Sequence, residues 1–317
     1  MTTSSSTPVA DLIADARERG EPIVLDGALG TELEARGCDL DDPLWSARVL
    51  ADTPGIVEDV HRDYFAAGAQ VATTASYQAA PLSLAARGLG EADAVALIGR
   101  SVEVADAARR TRAVAGEAGR PLLIAGSVGP YGAHLADGSE YRGDYALSPG
   151  ELAGFHRVRI EALADSGADL IACETIPQFA EARALLELVE AAGIPAWFSF
   201  TLRDDAHLSD GTPLAAVAEL LDASPQVVAV GVNCVPLEQV APALTALAAH
   251  TSKPLLAYPN SGEIYDGATR TWHAAPSGST LAEQAHTWAG LGAALIGGCC
   301  RTTPPDIGAL ARAVRRR

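Results

Sequence analysis

Near its C-terminus the chain reads Ala293-Ala294-Leu295-Ile296-Gly297-Gly298-Cys299-Cys300-Arg301-Thr302-Thr303-Pro304. This stretch is typical of a short buried strand that ends at two glycines, just before a helix begins. Side chains of a regular strand alternate between its two faces, so two adjacent cysteines can serve one site only if the backbone turns there. Gly297 and Gly298 permit such a turn because glycine has no Cβ. The stretch therefore predicts a βα unit that carries two thiols at its strand end.

The same order of strand and helix recurs along the 317 residues. Near-continuous apolar runs are typical of parallel strands covered on both faces, and segments with helical spacing separate them. Eight such units in a chain of this length predict a single-domain (β/α)8 barrel of the TIM type, with a doubly wound open sheet as the alternative. The predicted strands cover residues 22–27, 69–76, 121–129, 168–175, 195–201, 227–234, 254–260 and 293–300. The predicted helices cover residues 9–19, 56–67, 91–118, 149–166, 177–192, 213–223, 236–249, 280–291 and 305–316.

The chain is strongly acidic, with 40 Asp and Glu residues against 23 Lys and Arg and a formal net charge of -17. Such a surface repels phosphate backbones and anionic lipids, so we expect small-molecule substrates, not nucleic acid or a membrane, as partners. The five cysteines lack the dense spacing of a disulfide framework, and residues 1–20 lack the features of a signal peptide. We therefore expect a cytoplasmic protein in which residues 1–20 form an extension with a short helix and residues 21–317 form the barrel.

Polar residues occupy the C-terminal ends of the predicted strands. In a (β/α)8 barrel these ends converge on one mouth, where active sites are found, so residues far apart in the chain become neighbours. Three longer segments that follow strands, residues 77–90, 130–148 and 261–279, are predicted to lie over that mouth as lids. The strand-end residues are Asp26, Thr73, Ser76, Ser127, Glu174, Thr201, Cys234, Asn260, Cys299 and Cys300.

Three of these strand-end residues are cysteines, and together they favour a metal site. Zinc prefers thiolate and imidazole ligands in tetrahedral geometry, and a catalytic zinc keeps one position for water or substrate. Cys234, Cys299 and Cys300 therefore predict a zinc ion whose fourth partner is a substrate thiol, with buried inert thiols as the alternative. The wide separation of Cys234 from the pair is unlike a local zinc finger. Cys38 and Cys173 are assigned to packing or to a loop.

Six motifs, in order along the chain, resemble the homocysteine S-methyltransferase family, which includes betaine-homocysteine methyltransferase. Two further stretches, TASYQ at 74–78 and LADGSEY at 135–141, are similar to the branch of the family that depends on S-methylmethionine. The six motifs are LDGALGTEL at 25–33, SVGPYGA at 127–133, CETIP at 173–177, GVNC at 231–234, YPNSGE at 258–263 and GGCCRTTP at 297–304.

The resemblance implies a barrel in which Cys234, Cys299 and Cys300 bind Zn2+ and a methyl group passes from a sulfonium donor to the thiol of L-homocysteine, giving methionine. S-methylmethionine is the expected donor and S-adenosylmethionine the second; betaine as donor and selenohomocysteine as acceptor are variants within the family. The chemistry agrees, because a free thiol with a pKa of ~8.5 is mostly protonated at neutral pH and coordination to zinc removes the proton. No catalytic residue separate from the zinc site is required.

The resemblance also implies residues that bind the substrates. Asp26 and Glu174 look like the family positions that hold the amino-acid end of homocysteine, whose ammonium group needs an anion. A buried carboxylate without a cation is costly, which supports this role for Glu174, while a turn or helix cap is the alternative for Asp26. Gly27 offers a backbone amide for the substrate carboxylate. Asn233, Asn260 and Tyr77 complete the predicted substrate-binding set.

Aromatic residues in or beside the predicted lids are candidates to attract a cationic sulfonium, with ordinary loop packing as the alternative for each. They are Tyr77, Tyr131, Tyr258, Tyr265 and Trp272.

Two other classes of protein stay open at this point. A metal-free barrel lyase or isomerase would bind phosphate with Gly297, Gly298 and the helix start near Thr303, but it leaves the cysteine pair without a role. A zinc-binding or thiol-sensing protein that is not an enzyme would use the cysteines and leave Asp26 and Glu174 without one.

Overall fold

The computed structural model describes residues 8–39, 46–114, 120–266, 271–273 and 278–315. Its centre is one sheet of eight parallel strands, in which neighbours along the chain are also neighbours in space. We label the strands β1 (Ile23–Val24), β2 (Val71–Thr73), β3 (Leu123–Val128), β4 (Leu170–Ile176), β5 (Ala196–Phe200), β6 (Val227–Asn233), β7 (Leu255–Tyr258) and β8 (Ala293–Ile296).

The sheet closes into a ring at β1. This strand pairs in parallel with β8 on one side. On the other side Leu25, just after β1, forms a parallel bridge with Val71 of β2, and the amide of Gln70 donates to the carbonyl of Val24 at 2.7 Å. The strand order around the ring is therefore the order of the sequence, which confirms the predicted (β/α)8 barrel and excludes the open doubly wound sheet.

Helices cover the outside of the ring. Their starts follow the expected signals: Pro149 lies in the first turn of its helix, and Ser148 forms a capping box with Glu151. Four helices of five to seven residues lie in loops and were not predicted, because segments this short carry no clear period. Within the part of the chain that the structure describes, no helix is long and apolar enough to cross a membrane. The α-helices are Pro8–Arg19, Leu29–Ala35, Ser46–Asp52, Pro54–Ala67, Pro81–Ala85, Glu91–Val114, Tyr131–Leu135, Pro149–Asp165, Phe179–Ala192, Leu214–Asp222, Leu237–Ala248, Leu281–Gly290 and Pro304–Arg315.

Smaller elements lie in the loops. A 3-10 turn covers Ser139–Tyr141, and two antiparallel strand pairs join Leu202–Asp204 to His207–Leu208 and Ile264–Asp266 to Thr271–His273.

The barrel strands are shorter than the apolar runs that predicted them. The run over residues 69–76 pairs only from Val71 to Thr73. Thr74 and Ser76 stay buried beyond the end of β2, where their hydroxyl oxygens lie 2.8 Å apart and that of Ser76 donates to the Ser127 carbonyl at 2.7 Å. Burial therefore continues past the end of the strand ladder, so composition overestimates strand length at the mouth.

The N-terminal helix Pro8–Arg19 packs against the end of the ring at which the strands begin. Its Val9, Ile13 and Ala16 belong to the same apolar cluster as Ile23 and Leu170, which begin β1 and β4. The spacing of these three residues places them on one face of the helix. The helix therefore covers the end of the barrel opposite the mouth, and burial of Ile13 contributes ~2 kcal/mol to stability.

Candidate active site and metal centre

Three sulfur atoms meet at the mouth of the barrel. Cys234 follows β6, and Cys299 and Cys300 follow β8. The Sγ atom of Cys234 lies 3.0 Å from that of Cys299 and 3.4 Å from that of Cys300, and all three sulfurs lie within 4.8 Å of one another. In a tetrahedral zinc site with Zn–S bonds of ~2.3 Å the sulfurs are ~3.8 Å apart, so a slight spreading of these side chains fits them to the ion. Among the described residues this is the one cluster of its kind.

Main-chain hydrogen bonds to the end of β7 hold the cysteines in place. β7 lies between β6 and β8 in the ring. The amide of Cys234 donates to the carbonyl of Tyr258 at 3.2 Å, and the amide of Cys299 donates to that of Pro259 at 2.7 Å. Cys234 itself has a φ of 54°, a left-handed conformation that costs about 1–3 kcal/mol outside glycine. The chain thus leaves the strand direction at the residue that carries the thiol.

The two glycines before the cysteine pair provide space. A Cβ on Gly298 would lie 2.4 Å from the hydroxyl oxygen of Thr302, and one on Gly297 would lie 2.5 Å from Cβ of Leu25. Neither glycine has a positive φ; the left-handed residue of this turn is Arg301, with a φ of 65°. The glycines therefore permit the turn because Thr302 and Leu25 can approach a backbone that has no Cβ. They do not adopt the left-handed conformation that only glycine tolerates well.

Asn233 links the thiol cluster to the end of β4. Its side-chain oxygen accepts from the amide of Thr175 at 2.7 Å, and its side-chain nitrogen donates to the Thr175 hydroxyl at 2.9 Å. The same nitrogen lies 3.9 Å from Sγ of Cys299. Asn233 is fully buried, so its amide orients both a mouth residue and a cysteine. Contact between Asn233 and a substrate stays a prediction.

Asp26 and Glu174 are buried at the mouth, and neither forms an ion pair with a described residue, although the charge of Arg159 lowers the pKa of Glu174. Asp26 accepts from the amide and the hydroxyl of Thr73 at 2.7 and 2.9 Å, and its carboxylate does not cap the helix that follows β1. Glu174 accepts from the hydroxyl of Ser127. Burial raises the pKa of Asp26 to about 7, and the charge of Glu174 adds to this rise. Burial also raises the pKa of Glu174 to about 7, although hydrogen bonds from Ser127 and Tyr258 lower it.

The remaining predicted substrate residues lie in different surroundings. Gly27 is packed so closely that a Cβ there would lie 2.7 Å from the Thr302 hydroxyl oxygen. Burial raises the pKa of Tyr77 well above its usual range, and the charges of Glu140, Cys234 and Glu174 add to the rise. Asn260 is buried, and its side-chain oxygen has no hydrogen-bond partner among the described residues.

The segment 130–148, predicted as a lid, contributes two residues that sequence reasoning missed. The hydroxyl of Tyr141 lies 3.5 Å from Sγ of Cys234. Burial raises the pKa of Tyr141 well above its usual range, so the hydroxyl keeps its proton. Its neighbour Glu140 is fixed through its carbonyl, which accepts from the Thr201 hydroxyl at 3.1 Å. The sequence signal for both residues is the LADGSEY stretch, which indicates the S-methylmethionine branch of the family but not the role of any single residue.

A buried polar network, also missed, supports this segment from below. Glu181 accepts from the hydroxyl of Tyr145 and from Nε2 of His156, the latter at 2.8 Å. Burial lowers the pKa of His156, so the neutral ring accepts at Nδ1 from Arg159 at 2.8 Å. Arg159 also donates to the carbonyl of Tyr77 at 2.6 Å. Side chains of the helices Pro149–Asp165 and Phe179–Ala192 thus hold the loops that carry Tyr77 and Tyr145.

Several other sequence expectations have a clear outcome. Tyr131 packs its ring against Tyr145 and Phe155, at centroid distances of 5.3 and 5.0 Å, which is ordinary packing. Cys173 is buried and Cys38 packs against the main core. The lid 261–279 lies partly outside the described residues, and so do the side chains of Tyr265 and Trp272. Tyr258 is buried at the end of β7, where Trp197 Nε1 donates to its hydroxyl at 3.1 Å.

The proposed phosphate cradle is already filled by a side chain. Asp306 accepts from the amide and the hydroxyl of Thr303, at 2.9 and 2.6 Å, where the helix Pro304–Arg315 begins. A carboxylate at this helix start competes with any phosphate for the same donors. The structure therefore disfavours the phosphate-binding alternative.

The fold and the site together define a class: a (β/α)8 barrel whose mouth carries a cysteine cluster able to hold a metal ion. Within this class the chain belongs to the homocysteine S-methyltransferase family, because the family model of that description matches residues 23–314. The resemblance found in the motifs is confirmed, and the chain is a methyltransferase.

Two relatives and one solved structure illustrate the likeness. The homocysteine S-methyltransferase of Escherichia coli strain K12 is 55% identical over 309 residues, which is 97% of this chain and 98% of that protein. A selenocysteine methyltransferase of Astragalus bisulcatus is 41% identical over 322 residues, or 96% of this chain and 94% of that one. The crystal structure of the homocysteine methyltransferase MmuM from Escherichia coli in its metallated form has a TM-score of 0.86 at 53% identity, covering 95% of this chain and 99% of that chain.

Proposed function

We propose that this protein transfers a methyl group from a sulfonium donor, first S-methylmethionine and second S-adenosylmethionine, to the thiol of L-homocysteine, giving methionine. One juxtaposition supports this function: the sulfur cluster lies at the same mouth as Asp26 and Glu174, two buried carboxylates that form no ion pair with a described residue. Homocysteine has a thiol at one end and an ammonium group at the other, and so matches both. Membership of the family supports the same acceptor.

Zn2+ suits the cluster, and Cys234, Cys299 and Cys300 would hold it, with the substrate thiol as fourth partner. When bound, the ion would supply deprotonation of that thiol at neutral pH. The metallated form in which the Escherichia coli relative was solved supports metal binding by this chain. The chain's own part is hydrogen bonding: the Tyr141 hydroxyl beside Cys234 and the Asn233 amide near Cys299 orient the two cysteines and stabilise their thiolates.

Asp26 and Glu174 would bind the ammonium group of homocysteine. In the free protein the pKa of each lies at about 7, so at neutral pH both carboxyl groups are poised between the neutral and the charged form. A bound ammonium favours the charged form and lowers both pKa values. The substrate would thus supply the ion-pair partner that neither carboxylate has among the described residues.

The other predicted contacts complete the amino-acid site. The amide of Gly27 would donate to the substrate carboxylate, and the side-chain oxygen of Asn260, which lacks a partner among the described residues, would accept from the substrate. The Tyr77 ring would cover the thiol. We place the reaction in the cytoplasm, because a reducing compartment keeps three neighbouring thiols from oxidation.

A donor screen tests the proposal. The zinc-loaded protein is incubated with homocysteine and one of S-methylmethionine, S-adenosylmethionine or betaine, each labelled in its methyl group, and labelled methionine is measured by mass spectrometry. We expect label from S-methylmethionine. Cys299→Ala should lose both zinc and at least 10³-fold in turnover, since two cysteines hold zinc poorly. Cys38→Ala, a cysteine outside the cluster, is the control. An active Cys299→Ala protein, or no methionine from any donor, would refute the proposal.

A selenol acceptor is the second candidate, favoured by the likeness to the Astragalus selenocysteine methyltransferase. Selenolate is a softer ligand than thiolate and suits the same sulfur-bound ion. Competition between homocysteine, selenohomocysteine and selenocysteine in one reaction, read as the ratio of the methylated products, decides between the acceptors.

A further inference from the structure

One carboxylate oxygen near the thiol cluster has no assigned use. Oε2 of Glu140 is buried and has no hydrogen-bond partner among the described residues. The cation next to it in sequence, Arg142, is engaged elsewhere: it donates to Asp144 at 2.9 Å, to the carbonyl of Asp137 at 3.0 Å and to the Ser139 hydroxyl at 3.0 Å. A buried carboxylate is stable in its charged form only when a cation approaches it. Glu140 therefore forms no ion pair within the described part of the chain, although the charge of Arg142 acts against the rise in its pKa.

The position of Glu140 relates it to the reaction centre. Its carbonyl is held by Thr201, which directly follows β5. The next residue, Tyr141, contacts Sγ of Cys234. Burial raises the pKa of Glu140 to about 7, and the charge of Cys234 adds to the rise. Asp26 follows β1 on another part of the ring, whereas the turn Ser139–Tyr141 contacts β4, which carries Glu174. Glu140 therefore adds a further carboxylate to this side of the mouth.

Methyl transfer needs two molecules at this mouth. A lone pair of the homocysteine thiolate forms the new C–S bond while the C–S bond of the sulfonium breaks, and its electron pair stays on the departing sulfur as a neutral thioether. The attacking sulfur, the methyl carbon and the departing sulfur lie on one line. The donor therefore occupies the space beyond the homocysteine sulfur, away from the rest of the homocysteine molecule. Both S-methylmethionine and S-adenosylmethionine carry an α-ammonium group as well as the sulfonium.

Building on the proposed function, we propose that Glu140 binds the α-ammonium group of the methyl donor. The alternative partner, the sulfonium itself, loses its charge in the reaction. A carboxylate against it would stabilise the ground state more than the transition state and slow the transfer. The ammonium group keeps its charge and its protons throughout, so an ion pair with Glu140 lowers the KM for the donor without raising the barrier.

The test compares two donors in the full-length, zinc-loaded protein: S-methyl-L-methionine and 4-(dimethylsulfonio)butanoate, which has the same chain without the ammonium group. Glu140→Gln should raise the KM for S-methylmethionine about 10- to 100-fold, as expected for loss of a hydrogen-bonded charge. It should change kcat/KM for the deamino donor less than about twofold and leave zinc content and the KM for homocysteine unchanged. Isothermal titration of S-methylmethionine should show the same loss of affinity. Glu161→Gln, an exposed glutamate on helix Pro149–Asp165, is the matched control.

Equal losses with both donors would overturn the assignment, because Glu140 would then act on the sulfonium or on the fold. Unchanged kinetics with S-methylmethionine would overturn it as well. If the wild-type protein formed no methionine from S-methylmethionine, the proposed donor and this role would both be refuted. If the wild-type protein used S-methylmethionine and Glu140→Gln had the same preference between the two donors, the role of Glu140 alone would be refuted.

Discussion

The thiol side of the mouth, at the ends of β6 and β8, is fixed by main-chain hydrogen bonds, whereas the lid side, residues 130–148, is fixed by buried side chains. On the thiol side the amides of Cys234 and Cys299 bind carbonyls at the end of β7. On the lid side Glu181 and Arg159 connect loops to two outer helices. A chelating cluster needs its ligands within a few tenths of an ångström, and strand ends supply that precision. A loop that covers substrates can depend on side chains, which allow its position to be adjusted.

The contrast predicts that the two sides fail separately. Arg159→Met removes a buried cation and leaves the carbonyls of Tyr77 and Gly129 and Nδ1 of His156 without their donor. We expect the free energy of unfolding to fall by about 3–5 kcal/mol, as for other broken buried charge networks, and the KM for the methyl donor to rise. Zinc content should stay at the wild-type level, because the cysteines are held from β7. Chemical denaturation and metal analysis measure the two effects.

The matched control is Arg157→Met, which removes an exposed arginine from the same helix. It should change the free energy of unfolding by less than about 0.5 kcal/mol. Loss of zinc from the folded Arg159→Met protein would show that the thiol side depends on the lid side, and the comparison would then be wrong.

A second prediction concerns Glu174, which lies between the two sides. Its pKa is raised from 4.5 to about 7 in the folded protein, so the folded state binds more protons than the unfolded state between these pH values. Protonated Glu174 therefore contributes to the free energy of unfolding. The full contribution, roughly 3 kcal/mol, is present below pH ~4.5 and is lost as pH rises through 7. Glu174→Gln removes the loss, so the variant should be more stable than the wild type at pH 8 by up to that amount.

The same variant should bind homocysteine about 10- to 100-fold more weakly, because the proposed charged partner of the ammonium group is gone, and it should keep its zinc. Unfolding curves at pH 5 and pH 8 and the KM for homocysteine are the measurements, with the exposed Glu187→Gln as control. A variant that lost its metal, or that bound homocysteine as well as the wild type, would show that Glu174 has another role.

How far the sequence predicts each side follows from the same contrast. The thiol side was predictable, because an apolar run, a glycine pair and a cysteine pair are local signals, and the barrel brings strand ends together. The network around Arg159 was not, since its partners lie on separate loops and helices and none of them marks a strand end. Asn233 was assigned to substrate from its motif, but its observed partners, Thr175 and Cys299, depend on the left-handed turn at Thr175, which no pattern indicates.

Tyr141 offers the mildest test, because it is the point where the lid side touches the thiol side. Its hydroxyl lies 3.5 Å from Sγ of Cys234, and loss of one hydrogen bond next to a metal ligand costs about 10-fold in metal affinity or activity. Tyr141→Phe should therefore weaken zinc binding about 10-fold, read by competition with a chelator, and leave the free energy of unfolding of the metal-free protein within about 1 kcal/mol. Tyr131→Phe, in the same segment but packed against Tyr145 and Phe155, is the control. If both variants bound zinc like the wild type, the lid would cover the cluster without tuning it, and the two sides would be independent in both directions.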